Sequence, residues 1–109
     1  MQEDSRKRVA MNEATFRRIN DGIRNDRPIR RIAFVCECGR LGCNQLIELD
    51  RSEYEAVRSD AHRFAVVPGH EIPEVEDVVE RHEAYMVIQK HRDTWDVVEG
   101  SDPRRPLGE

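Results

Sequence analysis

All three cysteines of this 109-residue chain fall inside the stretch Cys36-Glu-Cys-Gly-Arg-Leu-Gly-Cys43, directly after the most apolar run of its first half. Thiolates packed this closely repel one another unless protons or a cation intervene, and a soft divalent ion such as Zn²⁺ is the usual cation. Gly39 and Gly42 suit such a loop, because tight turns around a metal need positive φ angles and backbone N–H groups that can face sulfur. As small buried hydrophobes the cysteines would make poor core material, set in a Gly-rich turn beside Glu37 and Arg40. A Cys36–Cys38 disulfide would close a strained ring, and an iron–sulfur cluster normally needs four cysteines. The spacing therefore predicts a zinc loop with Cys36, Cys38 and Cys43 as ligands.

A tetrahedral structural site requires a fourth donor, and His62, His70, His82 and His91 compete for it. His70 leads. It follows Pro68-Gly69 at the end of an apolar run that can pair beside the metal hairpin, whereas His62 precedes that run at its opposite end and His91 sits among charges. Glu71 is a further candidate, as a ligand or as the acceptor that orients the imidazole. Three thiolates and a neutral imidazole saturate Zn²⁺ and leave no position for water, so such a site is structural. The His-x-Glu and Pro-Cys-x-x-Cys pattern of zinc deaminases is absent, as are a Ser-His-Asp elbow, a phosphate-binding glycine loop and a catalytic Cys-His signature. No enzyme and no small-molecule substrate is expected.

The chain predicts one small domain with a thin core, since apolar residues make up 38% and charged residues 37%. A bound ion would supply folding free energy that so little core cannot. No run has the length of a transmembrane helix and no apolar stretch follows the N-terminal charges, which points to a cytoplasmic protein. Clustered, odd-numbered cysteines agree with a reduced compartment. The formal net charge of −4 is uneven, with residues 1–31 basic and the remainder strongly acidic.

Along the chain, residues 1–8 are expected as a frayed arm, 9–99 as a single zinc-binding domain and 100–109 as a loose tail. Val9, Phe16, Ile19 and Ile23 form one helical stripe with Arg17, Arg18 and Arg24 outside it, and Asn25, Asp26 and Pro28 end the helix. Ile29 to Val35 is a strand whose Ile32–Val35 end is apolar enough to be buried on both faces, and Gln45 to Leu49 returns from the metal loop as its hairpin partner. Asp50 or Ser52 caps a helix that runs to about Ser59, with Glu53 and Glu55 as capping-box partners and Tyr54 and Val57 inward. Arg63 to Val67 is a third strand. For Val75 to Lys90 a hairpin with its turn at His82-Glu83-Ala84 is preferred, a short helix before the last strand being the rival. Trp95, Val97 and Val98 read as a short helix or a stretch packed on the sheet.

At Cys36-Glu-Cys-Gly…Cys43, Ile47-Glu-Leu…Tyr54-Glu-Ala-Val-Arg, Phe64-Ala-Val-Val-Pro-Gly-His-Glu71 and Val78-Val-Glu-Arg…Tyr85, the chain resembles a family of small bacterial proteins with no assigned activity. The resemblance spans residues from about 12 to 90. It implies soluble intracellular proteins whose shared site maps onto Cys36, Cys38, Cys43 and His70. The SWIM type of zinc finger also begins Cys-x-Cys but closes Cys-x-His, and Gln45 stands where that histidine would be.

The fold class expected is α+β: a small, mostly antiparallel sheet with an N-terminal helix and one capping helix, pinned by zinc. The function expected is a non-catalytic binding or regulatory module that makes protein–protein contacts through Phe16, Arg17, Ile19 and Ile23. One alternative is nucleic-acid binding, with Arg17, Arg18, Arg30 and Arg31 on phosphates. Another is a thiol redox switch that releases zinc.

Overall fold

The computed structural model describes residues 1–23 and 30–105 and has the α+β architecture expected. Helix α1, Glu3–Asp21, is followed by β1, Ile32–Val35, and β2, Leu46–Leu49, then α2, Arg51–Arg58, and β3, Arg63–Val66. β4, Glu76–Arg81, and β5, Met86–Lys90, lead through a 3₁₀ turn at Arg92–Thr94 into α3, Trp95–Gly100. The strands form two antiparallel sheets. β1 pairs with β2, Val35 opposite Leu46, and the second sheet has the order β3-β5-β4.

The period of two along β3 and β5 divides the interior into two cores. Phe64, Val66, Met86 and Ile88 point to one side and meet Ala10, Cys36, Cys38 and Val98. Ala65 and Val87 point to the other and meet Phe34, Ile47, Leu49, Tyr54, Val57 and Tyr85. A sheet buried on both faces explains why Phe64-Ala65-Val66 is an unbroken apolar run. β1 is different: Phe34 is buried but Ala33 is exposed, so the expectation that this strand is covered on both sides fails. It belongs to a two-stranded ribbon with one face inward.

Local signals behave as their chemistry requires. Asp50 caps α2, accepting from the Glu53 amide at 2.8 Å while the Glu53 carboxylate accepts from the Asp50 amide at 2.9 Å, a complete capping box. The stretch after Val75 is a hairpin, with β4 antiparallel to β5 and a register shift between Val78 and Glu80. The preferred hairpin stands over the short helix.

α1 departs most from its expected form. Its buried residues are Ala10, Glu13, Ala14, Arg17 and Asn20, whereas Ile19 is exposed and Phe16 only half-buried. Arg17, placed outside the apolar stripe by the sequence, is 0% exposed. Its guanidinium donates to the Ala61 carbonyl at 2.5 Å and the Val98 carbonyl at 2.8 Å, and it lies 4.5 Å from the centre of the Phe64 ring. A stripe counted in large apolar residues cannot detect a face whose polar atoms are matched from elsewhere in the fold. The helix also starts at Glu3, inside the segment expected to fray, because Arg6 is held by Asp93 and the Glu74 carbonyl. α1 ends at Asp21 with Gly22 as its C-cap, before the Asn25, Asp26 and Pro28 expected to end it; those residues, with Arg24 and Ile29, lie outside the described residues.

The C-terminal segment is likewise better anchored than its composition suggests. Asp102 is buried and accepts from Arg58 at 2.5 and 3.3 Å, and Arg104 makes a two-pronged contact with Glu55 at 2.7 and 2.9 Å. Residues 106–109 of the expected tail lie outside the described residues.

Under α1, Lys90 Nζ lies 2.7 Å from Glu13 Oε1 and 3.2 Å from Glu76 Oε1, all three side chains being fully buried. Glu13 Oε1 is near Lys90 without hydrogen-bonding alignment, and its Oε2 has no partner among the described residues. Burial first, then the neighbouring Glu76 carboxylate, hold the Glu13 carboxyl well above its ordinary 4.5. The folded chain therefore binds more protons than the unfolded chain above that pH. This contribution to stability is full below about pH 4.5 and is lost as pH rises through the raised folded value. Glu13→Gln is expected to flatten the decline in urea midpoint as pH rises above the ordinary carboxyl value of 4.5. An unchanged slope in the variant would assign the decline to other groups.

Candidate metal centre

Cys36 continues β1, its amide donating to the Gln45 carbonyl at 3.0 Å. The next amide, of Glu37, crosses to the Ala65 carbonyl at 2.9 Å, so the chain leaves its hairpin partner and runs beside β3. That crossing carries the metal loop over the end of the three-stranded sheet. β3 ends there in Val67-Pro68-Gly69-His70, where the His70 amide donates to the Val67 carbonyl at 2.9 Å and Gly69 has φ of 92°. Proline second and a positive-φ glycine third are what a type II turn requires.

The metal loop repeats the device. In Arg40-Leu41-Gly42-Cys43 the Cys43 amide donates to the Arg40 carbonyl at 3.2 Å, and Gly42 has φ of 87°. Cys43 and His70 thus each occupy the last position of a tight turn, and the two turns face each other. Gly42 serves the positive φ expected of it. Gly39 serves a different purpose: a Cβ there would lie 2.6 Å from Val9 Cγ1 and 2.8 Å from the Val9 carbonyl oxygen, so its absence lets α1 approach the loop.

The donor atoms of Cys36, Cys38, Cys43 and His70 all lie within 4.8 Å of one another. His70 presents Nδ1, 3.7 Å from Cys36 Sγ and 3.7 Å from Cys43 Sγ. Cys36 Sγ accepts from the Val67 amide at 3.2 Å, and the Arg40 amide donates to Cys38 sulfur. Cys36 and Cys38 are 2% and 0% exposed, and Cys43 is half-buried at the rim. Burial pushes the Cys36 and Cys38 thiols above their usual range, backbone N–H donors opposing it, so thiolate here calls for a cation. The four side chains are positioned to bind a metal ion, as their spacing predicts.

The other histidines are engaged elsewhere. His62 lies between Asp60 and Glu99 and stacks on Trp95 at 3.9 Å, His82 stacks on Tyr85 and meets Glu80, and His91 meets Asp77. Glu71 stands outside the donor cluster; its Oε1 is buried without a hydrogen-bond partner among the described residues.

Glu37, between two of the ligands, has a role that sequence reasoning missed. Its carboxylate is fully buried and accepts from Asn20 Nδ2 at 2.8 Å, the Tyr54 hydroxyl at 2.7 Å and the Ala65 amide at 2.9 Å. Burial raises its pKa, and the Asn20, Ala65 and Tyr54 donors oppose that rise. One side chain thereby joins α1, α2 and β3 at the back of the metal loop.

The expected contact residues are not brought to one surface. Ile19 is 51% exposed, Phe16 and Ile23 are half-buried, Ile23 against the core around Tyr54, and Arg17 faces inward. Arg17 is therefore no surface contact, for a protein or for phosphate, and Arg31 is paired with Glu53 at 2.9 Å.

Comparison with protein-family models, curated proteins and solved structures returns no match. Among the described residues no helix is long and apolar enough to cross a membrane.

Proposed function

We propose that the protein is a non-catalytic binding module held in shape by a structural zinc ion, acting through protein contacts made by the outer face of α1. The observation that carries this reading is the clustered donor set, with Cys36 and Cys38 buried and Cys43 and His70 half-buried. Three sulfurs and one imidazole nitrogen within 4.8 Å match the ligands of a closed Cys₃His site. A zinc tetrahedron with Zn–S of about 2.3 Å and Zn–N of about 2.0–2.1 Å has sulfur–nitrogen edges of about 3.6 Å. The two sulfur–nitrogen separations of 3.7 Å are close to that edge. A set of four protein ligands leaves no place for a reactive water, which supports a structural and not a catalytic ion.

Of Phe16, Arg17, Ile19 and Ile23, the contact surface proposed keeps Ile19 alone. On the outer side of α1, Met11 and Ile19 are about half exposed, Thr15 lies between them, and the exposed charges beyond Asp4 are Lys7, Arg8 and Arg18. An apolar stripe flanked beyond its first turn by Lys7, Arg8 and Arg18, with Lys7 paired to Glu3, fits an apolar groove with an acidic rim on a partner protein.

The metal reading is tested by counting zinc in the purified chain and replacing it with Co²⁺. One ion per chain is expected, with intense visible d–d bands of tetrahedral Co²⁺ and charge-transfer absorption scaling to three thiolates. Weak, six-coordinate bands, or no bound metal, would reject it.

A further inference from the structure

Resting on that zinc reading, we infer that the metal loop is a latch for α1: metal occupancy governs whether the helix is docked, and docking of the helix governs metal affinity. The ligands Cys36 and Cys38 alternate with residues that α1 holds. Asn20 pairs with Val35 as a strand neighbour would, its Nδ2 donating to the Val35 carbonyl at 2.7 Å and its Oδ1 accepting from the Val35 amide at 2.8 Å. The same side-chain amide reaches Glu37 at 2.8 Å. Asn12 donates to the Gly39 carbonyl at 3.2 Å, at the point where the missing Cβ lets the helix approach. The helix thus grips positions 35, 37 and 39, and the ion takes 36 and 38.

Little else of apolar character holds that face. Its fully buried apolar side chains are Ala10 and Ala14, and the rest of it is Glu13, Arg17 and Asn20. Lifting the helix exposes its two alanine methyls and the part of the core beneath them, Phe64 included, and lets water reach the buried Glu13, Lys90 and Glu76 side chains. Hydrogen bonds to the loop contribute to docking only while residues 35 to 39 keep their path, and that path is fixed by an ion joining Cys36 and Cys38 to His70. The β3–β5 pairing and the core around Tyr54 contain none of the four donors; they meet the latch through the packing of Phe64, Val66, Met86 and Ile88 on Cys36 and Cys38 and through Glu37, while the β3–β5 backbone pairing itself does not pass through it. A helix poised in this way carries its outer, partner-facing side into or out of register with the rest of the molecule.

Hydrogen exchange on the full-length, zinc-loaded chain tests the latch, before and after removal of zinc by a chelator. Amides of residues 7–20 are expected to exchange roughly tenfold faster or more without zinc, while β3 and β5 keep their protection. Coupling is reciprocal, so Asn20→Ala, which removes no ligand, should weaken zinc binding by about 5-fold or more in a competition assay, and Asn12→Ala should shift it in the same direction. Glu83→Ala, in the exposed turn between β4 and β5, should leave affinity unchanged. Unaltered exchange in α1 on zinc removal, simultaneous loss of protection throughout the chain, or wild-type zinc affinity in both asparagine variants would overturn the latch while leaving the metal site intact. A wild-type chain that takes up no zinc would remove the site and the latch together.

Discussion

Cys38→Ser is expected to leave the purified chain without stoichiometric zinc and to lower its stability by roughly 2.5–4 kcal/mol. Structural zinc contributes about 10–16 kcal/mol of apparent binding free energy in small domains, which shared among four donors is about 2.5–4 kcal/mol each. At 1.4 kcal/mol per decade, losing one donor weakens affinity by about a hundredfold to a thousandfold. Cys38 is 0% exposed and packs in the core with Phe64 and Val98, so a serine hydroxyl there would also be buried away from water. Cys43→Ser offers the comparison, because that side chain is half-buried at the rim and its loss disturbs the metal with less effect on packing. Zinc content by atomic emission, affinity by chelator competition and urea unfolding measure the three quantities. Stoichiometric zinc with a wild-type urea midpoint in Cys38→Ser would show that this sulfur is no ligand.

The metal loop is legible in the sequence because its chemistry is local. Three cysteines and two glycines crowded into one loop suit ligation and little else, and His70 declares itself by the Pro68-Gly69 pair that fixes its direction. The same holds for Asp50 and Glu53, whose capping box needs only a spacing of three. What escaped the sequence depends on partners far along the chain. Glu13 on α1 looks like a solvated charge until Lys90 is brought beneath it, and Arg17 until the Ala61 and Val98 carbonyls and the Phe64 ring receive it. Arg6 and Asp102 read as members of polar termini for the same reason. A chain with a thin apolar core compensates by burying matched polar groups, which removes the hydrophobic periodicity on which helix-face assignment relies.

Glu37→Ala should produce the other large effect, about 3–5 kcal/mol of destabilisation, although Glu37 touches no metal. The substitution leaves the Asn20 amide, the Tyr54 hydroxyl and the Ala65 amide without their acceptor, all in the interior. An orphaned buried donor costs about 1–3 kcal/mol, so the gross loss is roughly 3–9 kcal/mol. Against this stands relief from burying a carboxylate, whose cost is visible in the upward direction of its pKa despite three donors. Glu37→Gln distinguishes the terms. It retains one oxygen, but an amide at Oε1 would face the Ala65 amide, which cannot accept, and one at Oε2 could donate to the Tyr54 hydroxyl only while facing the Asn20 amide, which is fixed by its pairing with Val35 and cannot accept. The glutamine variant is therefore expected to fall between wild type and alanine in urea unfolding. Tyr54 should report the loss too, since its ring stacks on Phe34 at 4.6 Å and its hydroxyl orientation is set by Glu37. If alanine costs less than about 1 kcal/mol, water or a side-chain shift must satisfy all three donors at once, and the carboxylate would not be the post on which the helices and the sheet converge behind the metal.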